Sequence, residues 1–441
     1  MRRIYATFLA TLMVLPLLAP MIAKAEGAPT NCLKREVDQT QNFSGKGYIC
    51  RGRTNGTFSW DPLSNSNNNG SGSNNQNQQP NAQDPNQLPP GPKCTSLTPL
   101  SVFPIDSKVT KFQPLGNINP PGHITPSTHG GVQVPTTPGQ GTKNNAINGQ
   151  IPVSLDVRLP VAINHALNVQ VTKVVFSDGT TLDDYALSYN VCAKIYISLG
   201  HITNPPSKLI AAMKSQVPNP VCQNSSNVDA RAKISSKITL CFYPNISFTA
   251  VAGSIIGKSG PAIGVDFGAW DLTKPLKLAS FGIYPNNGES TYAICALDLY
   301  PAALRSTINA PMGCGSAALD KTGTAAGSWF EPGNAQAYNQ QKVISLVPLS
   351  LFRGQFALAT GSSVPSVLHA NSVYLIETDP AKILTGSLIC IKAKPAQNVT
   401  PGQVISVGVR VVEKGSREQL ILSDCQGFGS VTLERTTHLG P

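Results

Sequence analysis

The chain has 441 residues, with 38 Gly, 36 Pro and only 13% Asp, Glu, Lys or Arg. That length suggests two or three domains with real cores, and the composition excludes a coiled coil, a highly charged disordered chain and a collagen. The 34 basic and 23 acidic residues give a net +11. These charges are scattered rather than gathered into a basic stripe interleaved with aromatics, so no nucleic-acid partner is expected.

Residues 1–25 read as an export signal: Arg2 and Arg3, an apolar run from Phe8 to Ile22, then Ala23-Lys24-Ala25. The run is broken by Pro16 and Pro20 and is short for a bilayer span, and nothing later reaches transmembrane length. After cleavage, 31 basic residues face 23 acidic ones, a net +8 that suits an acidic wall polymer. Pro29-Thr30-Asn31 before Cys32 is not a lipidation signal. The expectation is a secreted, periplasmic or cell-surface protein with no transmembrane segment once the signal is removed.

Ten cysteines follow: Cys32, Cys50, Cys94, Cys192, Cys222, Cys241, Cys295, Cys314, Cys390 and Cys425. An even count in an exported chain, with no Cys-x-x-Cys spacing, predicts disulfides rather than a metal knuckle or redox motif. Pairing of neighbours gives 32–50, 295–314 and 390–425, and leaves 94, 192, 222 and 241 three possible arrangements.

Residues 26–62 form a small cysteine-bearing head, with strands at 47–50 and 57–60 about an Asn55-Gly56 turn. Trp60 serves that hairpin's small core or stacks on a ligand. Residues 63–93 are dominated by Asn, Gln, Ser, Gly and Pro. They have too little apolar surface to offset ordering entropy and read as a disordered tether reaching roughly 30 Å. The segment 94–330 is a β domain, and 331–441 a second β-rich region. From Leu187 to Leu199 apolar residues recur at every second position, the clearest strand signal in the chain. Ile238 to Phe242 and Val404 to Val412 are further strands, and Asp178-Gly179 marks a hairpin turn. Helix signals are confined to Ser207–Gln216 and Pro301–Ile308. The fold class is therefore mainly β, built of antiparallel sheets, without α/β alternation. Gly313-Cys314-Gly315 reads as a turn carrying a half-cystine. Trp329-Phe330 reads as core or as a sugar platform.

Six histidines are present, and three carry the functional argument. His123 and His129 lie in a stretch rich in Pro and Gly, which stiffen a loop that presents side chains. His201 follows the long strand signal. His165, His369 and His438 have no partner spacing.

The Pro120-Pro121-Gly122-His123 to His129 stretch, the strand ending at Gly200-His201-Ile202, and Ile263-Gly264-Val265-Asp266-Phe267-Gly268 occur in the order of elements of lysostaphin-like zinc endopeptidases. The chain resembles, more closely, exported proteins carrying a degenerate version of that domain. Tyr292 to Tyr300, Cys314-Gly315 and Asp320 to Phe330 extend the resemblance, which covers roughly residues 94–330 and not the head or the tether. In active peptidases it implies a zinc held by the His and Asp of a His-x-x-x-Asp motif and by the second His of a His-x-His motif. The first His of that pair and a His ending an earlier strand assist the water. His129 matches the first ligand and His201 the strand-end assistant. Gln133 stands where the Asp belongs, and Gly264-Val265-Asp266 where His-x-His belongs. An amide is a poor zinc ligand and glycine moves no proton, whereas Asp266 retains a ligating carboxylate.

A mixed zinc site of His123, His129 and Asp266, or one in which all three imidazoles converge, would keep three protein ligands and an open position. The bland alternative is loop histidines bonded to neighbouring backbone and Asp266 as a strand-end cap. The expected function is an exported envelope or secreted protein that binds a cell-wall polymer or a surface protein through a peptidase-like domain. A secreted zinc-dependent peptidoglycan endopeptidase and an adhesin or pilus-associated subunit are the alternatives. Whether it is an enzyme stays open, because of Gln133 and Gly264.

Overall fold

The computed structural model describes residues 40–62 and 91–436, apart from 44–45, 53–57, 119–122, 139–149, 177–178, 230–233, 261–263, 280, 282–287, 333–341, 362–363 and 398–403. The signal at 1–25, the Cys32–Cys50 bridge, nearly all of the tether and His438 lie outside the described residues. The smaller compact unit, Pro16–Gln79, contains an antiparallel sheet of β1 (Thr40–Phe43), β2 (Lys46–Gly52) and β3 (Phe58–Pro62), in which Cys50 faces Trp60 across β2 and β3.

Among the described residues of the larger unit, twelve strands precede residue 272. They are β4 (Lys111–Gln113), β5 (Gly130–Gln133), β6 (Thr136–Pro138), β7 (Gln150–Pro152), β8 (Asp156–Arg158) and β9 (Ile163–Phe176), followed by β10 (Thr181–Cys192), β11 (Ile195–Thr203), β12 (Val221–Asp229), β13 (Ile234–Ala250), β14 (Ile255–Ser259) and β15 (Gly264–Asp271). β6 and β7 pair with each other. The other ten form one sheet in the order β12-β13-β9-β10-β11-β15-β5-β4, with β14 bridging β11 and β8. Every pairing is antiparallel. β9 and β10 pair as a hairpin, with Gly179 at φ 81° between them; Asp178 of the predicted turn lies outside the described residues.

The alternating run from Leu187 to Leu199 is not one strand. It is the β10–β11 hairpin, turning at Ala193 (φ 45°) and Lys194. In its register Leu187 faces Leu199 and Tyr189 faces Ile197, so residues of one parity share a face on both arms. The alternation therefore runs through the turn unbroken, which hides the turn from a period-two reading. Ile238 to Phe242 falls inside β13. The predicted helix Ser207–Gln216 forms, burying Leu209 and Met213 one turn apart, and Gln216 caps the bulged β13 by accepting from Ser247 N at 2.8 Å. The predicted helix at 301–308 shortens to Ala302–Arg305.

The C-terminal region closes on itself. β16 (Gly327–Phe330), β17 (Val343–Pro348), β18 (Phe356–Thr360), β19 (Ser372–Ile376), β20 (Ile389–Gln397), β21 (Ile405–Lys414), β22 (Arg417–Ser423) and β23 (Val431–Thr436) form a closed eight-stranded barrel, sealed where Phe330 faces Glu434. An eight-stranded barrel is just wide enough for side chains to fill it. Here alternate residues such as Leu346, Leu358, Tyr374, Val409, Leu420 and Leu433 do so. The barrel begins inside the segment read from sequence as the first domain, because β16 pairs with β17. Trp329 is fully buried, which removes the sugar-platform reading. The outer face of the barrel is also covered: Phe330, Val343, Val347 and Ala357 pack with Ile118, Ile124 and Leu278.

Four disulfides join the described cysteines: Cys94–Cys192, Cys222–Cys241, Cys295–Cys314 and Cys390–Cys425. The last two are the neighbour pairs expected, and the first two settle the open arrangement. Among the described residues no helix is long and apolar enough to cross a membrane.

Under β16 lies a buried ion pair. Arg435 donates from Nε to Glu418 Oε2 (2.7 Å), from Nη1 to the Ala326 carbonyl (2.5 Å) and from Nη2 to the carbonyls of Lys321 and Thr324 (2.7 Å each). Its guanidinium sits 3.9 Å above the Trp329 ring. Removing one member of such a pair strands the other charge, so Arg435→Ala should lower unfolding stability by about 3–5 kcal/mol. Denaturant titration checks this. A loss below about 1 kcal/mol would mean that the guanidinium does not hold the loop to the barrel.

Candidate functional site

β11 and β15 lie side by side with Tyr196 facing Trp270, Ser198 facing Gly268 and Gly200 facing Asp266. These positions share one face of the sheet, while Ile197, Leu199, Phe267 and Ala269 point into the main core on the other. Simple alternation would send His201 after Leu199 into that core. Instead His201 has φ 60°, a left-handed conformation that costs a non-glycine residue about 1–3 kcal/mol. The turn of the backbone brings its Nε2 to 3.4 Å from Asp266 Oδ2. The His201 carbonyl, displaced with it, accepts from Gly260 N at 2.7 Å. A Cβ at Gly260 would lie 2.8 Å from that carbonyl oxygen, so the close approach needs glycine.

His129 arrives from the other side. It immediately precedes β5, whose Gly131 faces Asp266 and Gly130 faces Phe267. Its Nδ1 lies 3.6 Å from Asp266 Oδ1 and 3.1 Å from the Gly130 carbonyl. His123, from the same loop, places its ring centroid 5.1 Å from that of His129. Ile124, beside it, is one of the residues buried against the barrel, so packing fixes the loop. The three imidazoles and the Asp266 carboxylate named from sequence thus gather in one place.

Three further residues join them. Asp184 on β10 meets His201 Nδ1 at 2.7 Å, both side chains being buried. Glu289, on the helical turn Gly288–Thr291, accepts from Ser198 Oγ at 3.5 Å. A Cβ on Gly268 would lie 2.4 Å from Ser198 Oγ, 3.1 Å from Glu289 Oε1 and 3.5 Å from His129 Cβ, so the Glu289 carboxylate fills the space this glycine leaves between Ser198 and His129. Asp184 was within reach of sequence: once the 193–194 turn is seen, hairpin register sets β10 beside His201. Glu289 had no local signal.

The charges are coupled. Burial pushes His123 down to about 3, with the neighbouring His129 adding to the effect, so this ring is neutral. Burial also opposes charge on His201, but Asp184 and Asp266 outweigh it and raise the ring to about 9. At His129 burial is likewise outweighed, by Asp266 and then Glu289, and the net shift is upward. Asp266 is largely withdrawn from water, which raises a carboxyl, yet His129 and His201 hold it below the usual carboxylate range. Glu289 is pushed up by burial.

The two positions to which the sequence resemblance assigns the remaining groups carry Gln133 and Gly264. Gln133 and Gly264 are register partners across β5 and β15, two residues from Asp266 on its face, and Gln133 Oε1 instead accepts from Gln113 Nε2 at 3.4 Å. Cys295, Asp298 and Cys314 also lie close together. The two cysteines are a disulfide and Asp298 pairs with Arg305 at 2.6 Å, so no thiolate is there to ligate a metal.

His201 and His123 titrate in opposite senses. The folded value of His201 lies above its unfolded 6.5, so its contribution to stability is full below about 6.5 and is lost as pH rises through about 9. The folded value of His123 lies below 6.5, so acidification from about 6.5 towards 3 removes stability. In a proton NMR titration the His201 ring should stay protonated through pH 7 and lose that behaviour in Asp184→Asn; titration near 6.5 in the wild type would contradict the ion-pair geometry. Comparison with protein-family models, with curated proteins and with solved structures finds no match to this chain.

Proposed function

We propose that this is an exported cell-envelope or secreted protein whose ten-stranded sheet carries a zinc-type metal site centred on Asp266 and engages a wall polymer or surface protein there. One observation carries the reading. Asp266 has an imidazole on each carboxylate oxygen, His129 at 3.6 Å and His201 at 3.4 Å, delivered by segments far apart in the chain. Imidazole and carboxylate together suit zinc, and the neutral His123 is in the protonation state a ligand requires. With a metal bound, the ion would polarise a carbonyl or lower the pKa of a water. The protein's own groups would shape the pocket, and Glu289 would add a second carboxylate to it.

Ligand capture without confirmed cleavage is the reading that fits Gln133 and Gly264, which supply neither the family's third ligand nor its second assisting imidazole. A complete peptidoglycan endopeptidase is the second reading, favoured by the convergence of His123, His129 and Asp266, which restores a set of two imidazoles and one carboxylate. The four disulfides are compatible with an oxidising compartment.

Purified protein should bind one equivalent of zinc with release of protons, because the metal displaces the charge on His129 and His201. Asp266→Ala should abolish that binding. Retention on murein sacculi without release of soluble fragments supports capture, and fragment release supports the peptidase. Absence of both zinc and sacculus binding would refute the proposal and leave the adhesin or pilus-associated subunit as the reading to test.

A further inference from the structure

We infer that His201 is a metal ligand in its own right, with Asp184 as the outer carboxylate that aims it. It is not the water-assisting histidine that its place in the resemblance implies. The inference rests on the metal site proposed above and changes its membership: His201 would join Asp266 in holding the ion.

Three observations carry it. First, the Nδ1 of His201 is taken by a buried carboxylate at 2.7 Å. A carboxylate or carbonyl on the far nitrogen is the arrangement by which metal-ligating imidazoles are almost always held, since it orients the ring and leaves the other nitrogen to bind the ion once its proton is released. His129 lacks this division of labour, since its Nδ1 faces both the Gly130 carbonyl at 3.1 Å and Asp266 at 3.6 Å. Second, His201 Nε2 stands 3.4 Å from Asp266 Oδ2. That exceeds the ordinary N–H···O range of about 2.7–3.2 Å. It matches the separation of about 3.3–3.5 Å between two donors that share one tetrahedral zinc at about 2.0–2.2 Å each. Third, the strand leaves its regular path to make the contact. The left-handed backbone at His201 and the register break between Tyr185 and Leu187 on the neighbouring strand both act to bring Asp184, His201 and Asp266 into line. A residue needed only for core packing would have followed the alternation inward.

The ligand class is a borderline-soft divalent ion that accepts nitrogen and oxygen donors, zinc above all and cobalt(II) as its spectroscopic substitute. Asp184 has the role of a positioning residue.

Zinc titration by calorimetry, with cobalt(II) absorption in parallel, tests this on the whole exported protein. His201→Asn suits the left-handed backbone and removes the imidazole. It should weaken zinc binding at least about 100-fold, and Asp184→Asn should weaken it about 10–100-fold. His165→Gln, on β9 away from the site, should leave it unchanged. In the wild type the 15N resonance of His201 Nε2 should shift on addition of zinc, a reading that needs no variant to fold. Zinc binding by His201→Asn at wild-type affinity, or an unmoved Nε2 resonance, would overturn this inference while leaving the Asp266 site standing. No zinc binding by the wild type would overturn both.

Discussion

A carboxylate largely withdrawn from water must find partners, and Asp266 organises the site around that requirement. Its two oxygens face His129 and His201, whose charges in turn are held by the same acid and by Asp184. Burying any one of these groups alone would be costly; together they satisfy one another. The strained backbone of His201 and the bare Cα positions of Gly260 and Gly268 follow from bringing these groups within reach of each other. Local strain of this kind persists only where the surroundings over-determine it.

The surroundings do so through two cores. One face of β11 and β15 packs Leu199, Phe267 and Ala269 into the main core, which sets the height of Asp266 above the sheet. The barrel contributes from outside the sheet. Its covered outer face holds Ile118 and Ile124, and so fixes the loop that carries His123 and His129. A closed barrel leaves no free edge and makes a stiff support. Arg435 and Glu418 fasten the loop that leads into it, through the carbonyls of Lys321, Thr324 and Ala326.

Much of this was legible along the chain. Alternation located β11, β13 and β21, turn chemistry located the β9–β10 hairpin, and neighbour pairing anticipated Cys295–Cys314 and Cys390–Cys425. The same alternation concealed the turn at Ala193-Lys194, since the register shift between Asn190 and Cys192 restores same-parity pairing on the two arms of that hairpin. With the turn hidden, Asp184 could not be set beside His201. Glu289 was illegible for a different reason: a short helical turn reaches over the sheet from a later part of the chain, and no local pattern marks its target.

What the sequence by itself determined is the class and the chemical stock. Period-two patterning and frequent turn residues make antiparallel sheets, an even set of cysteines makes staples, and three histidines with one carboxylate supply donors suited to a metal. Only tertiary structure decided which donors meet. Their meeting depends on β5 and β11 flanking β15, and on a backbone inversion at His201, and both are consequences of long-range strand pairing and packing rather than of any local preference.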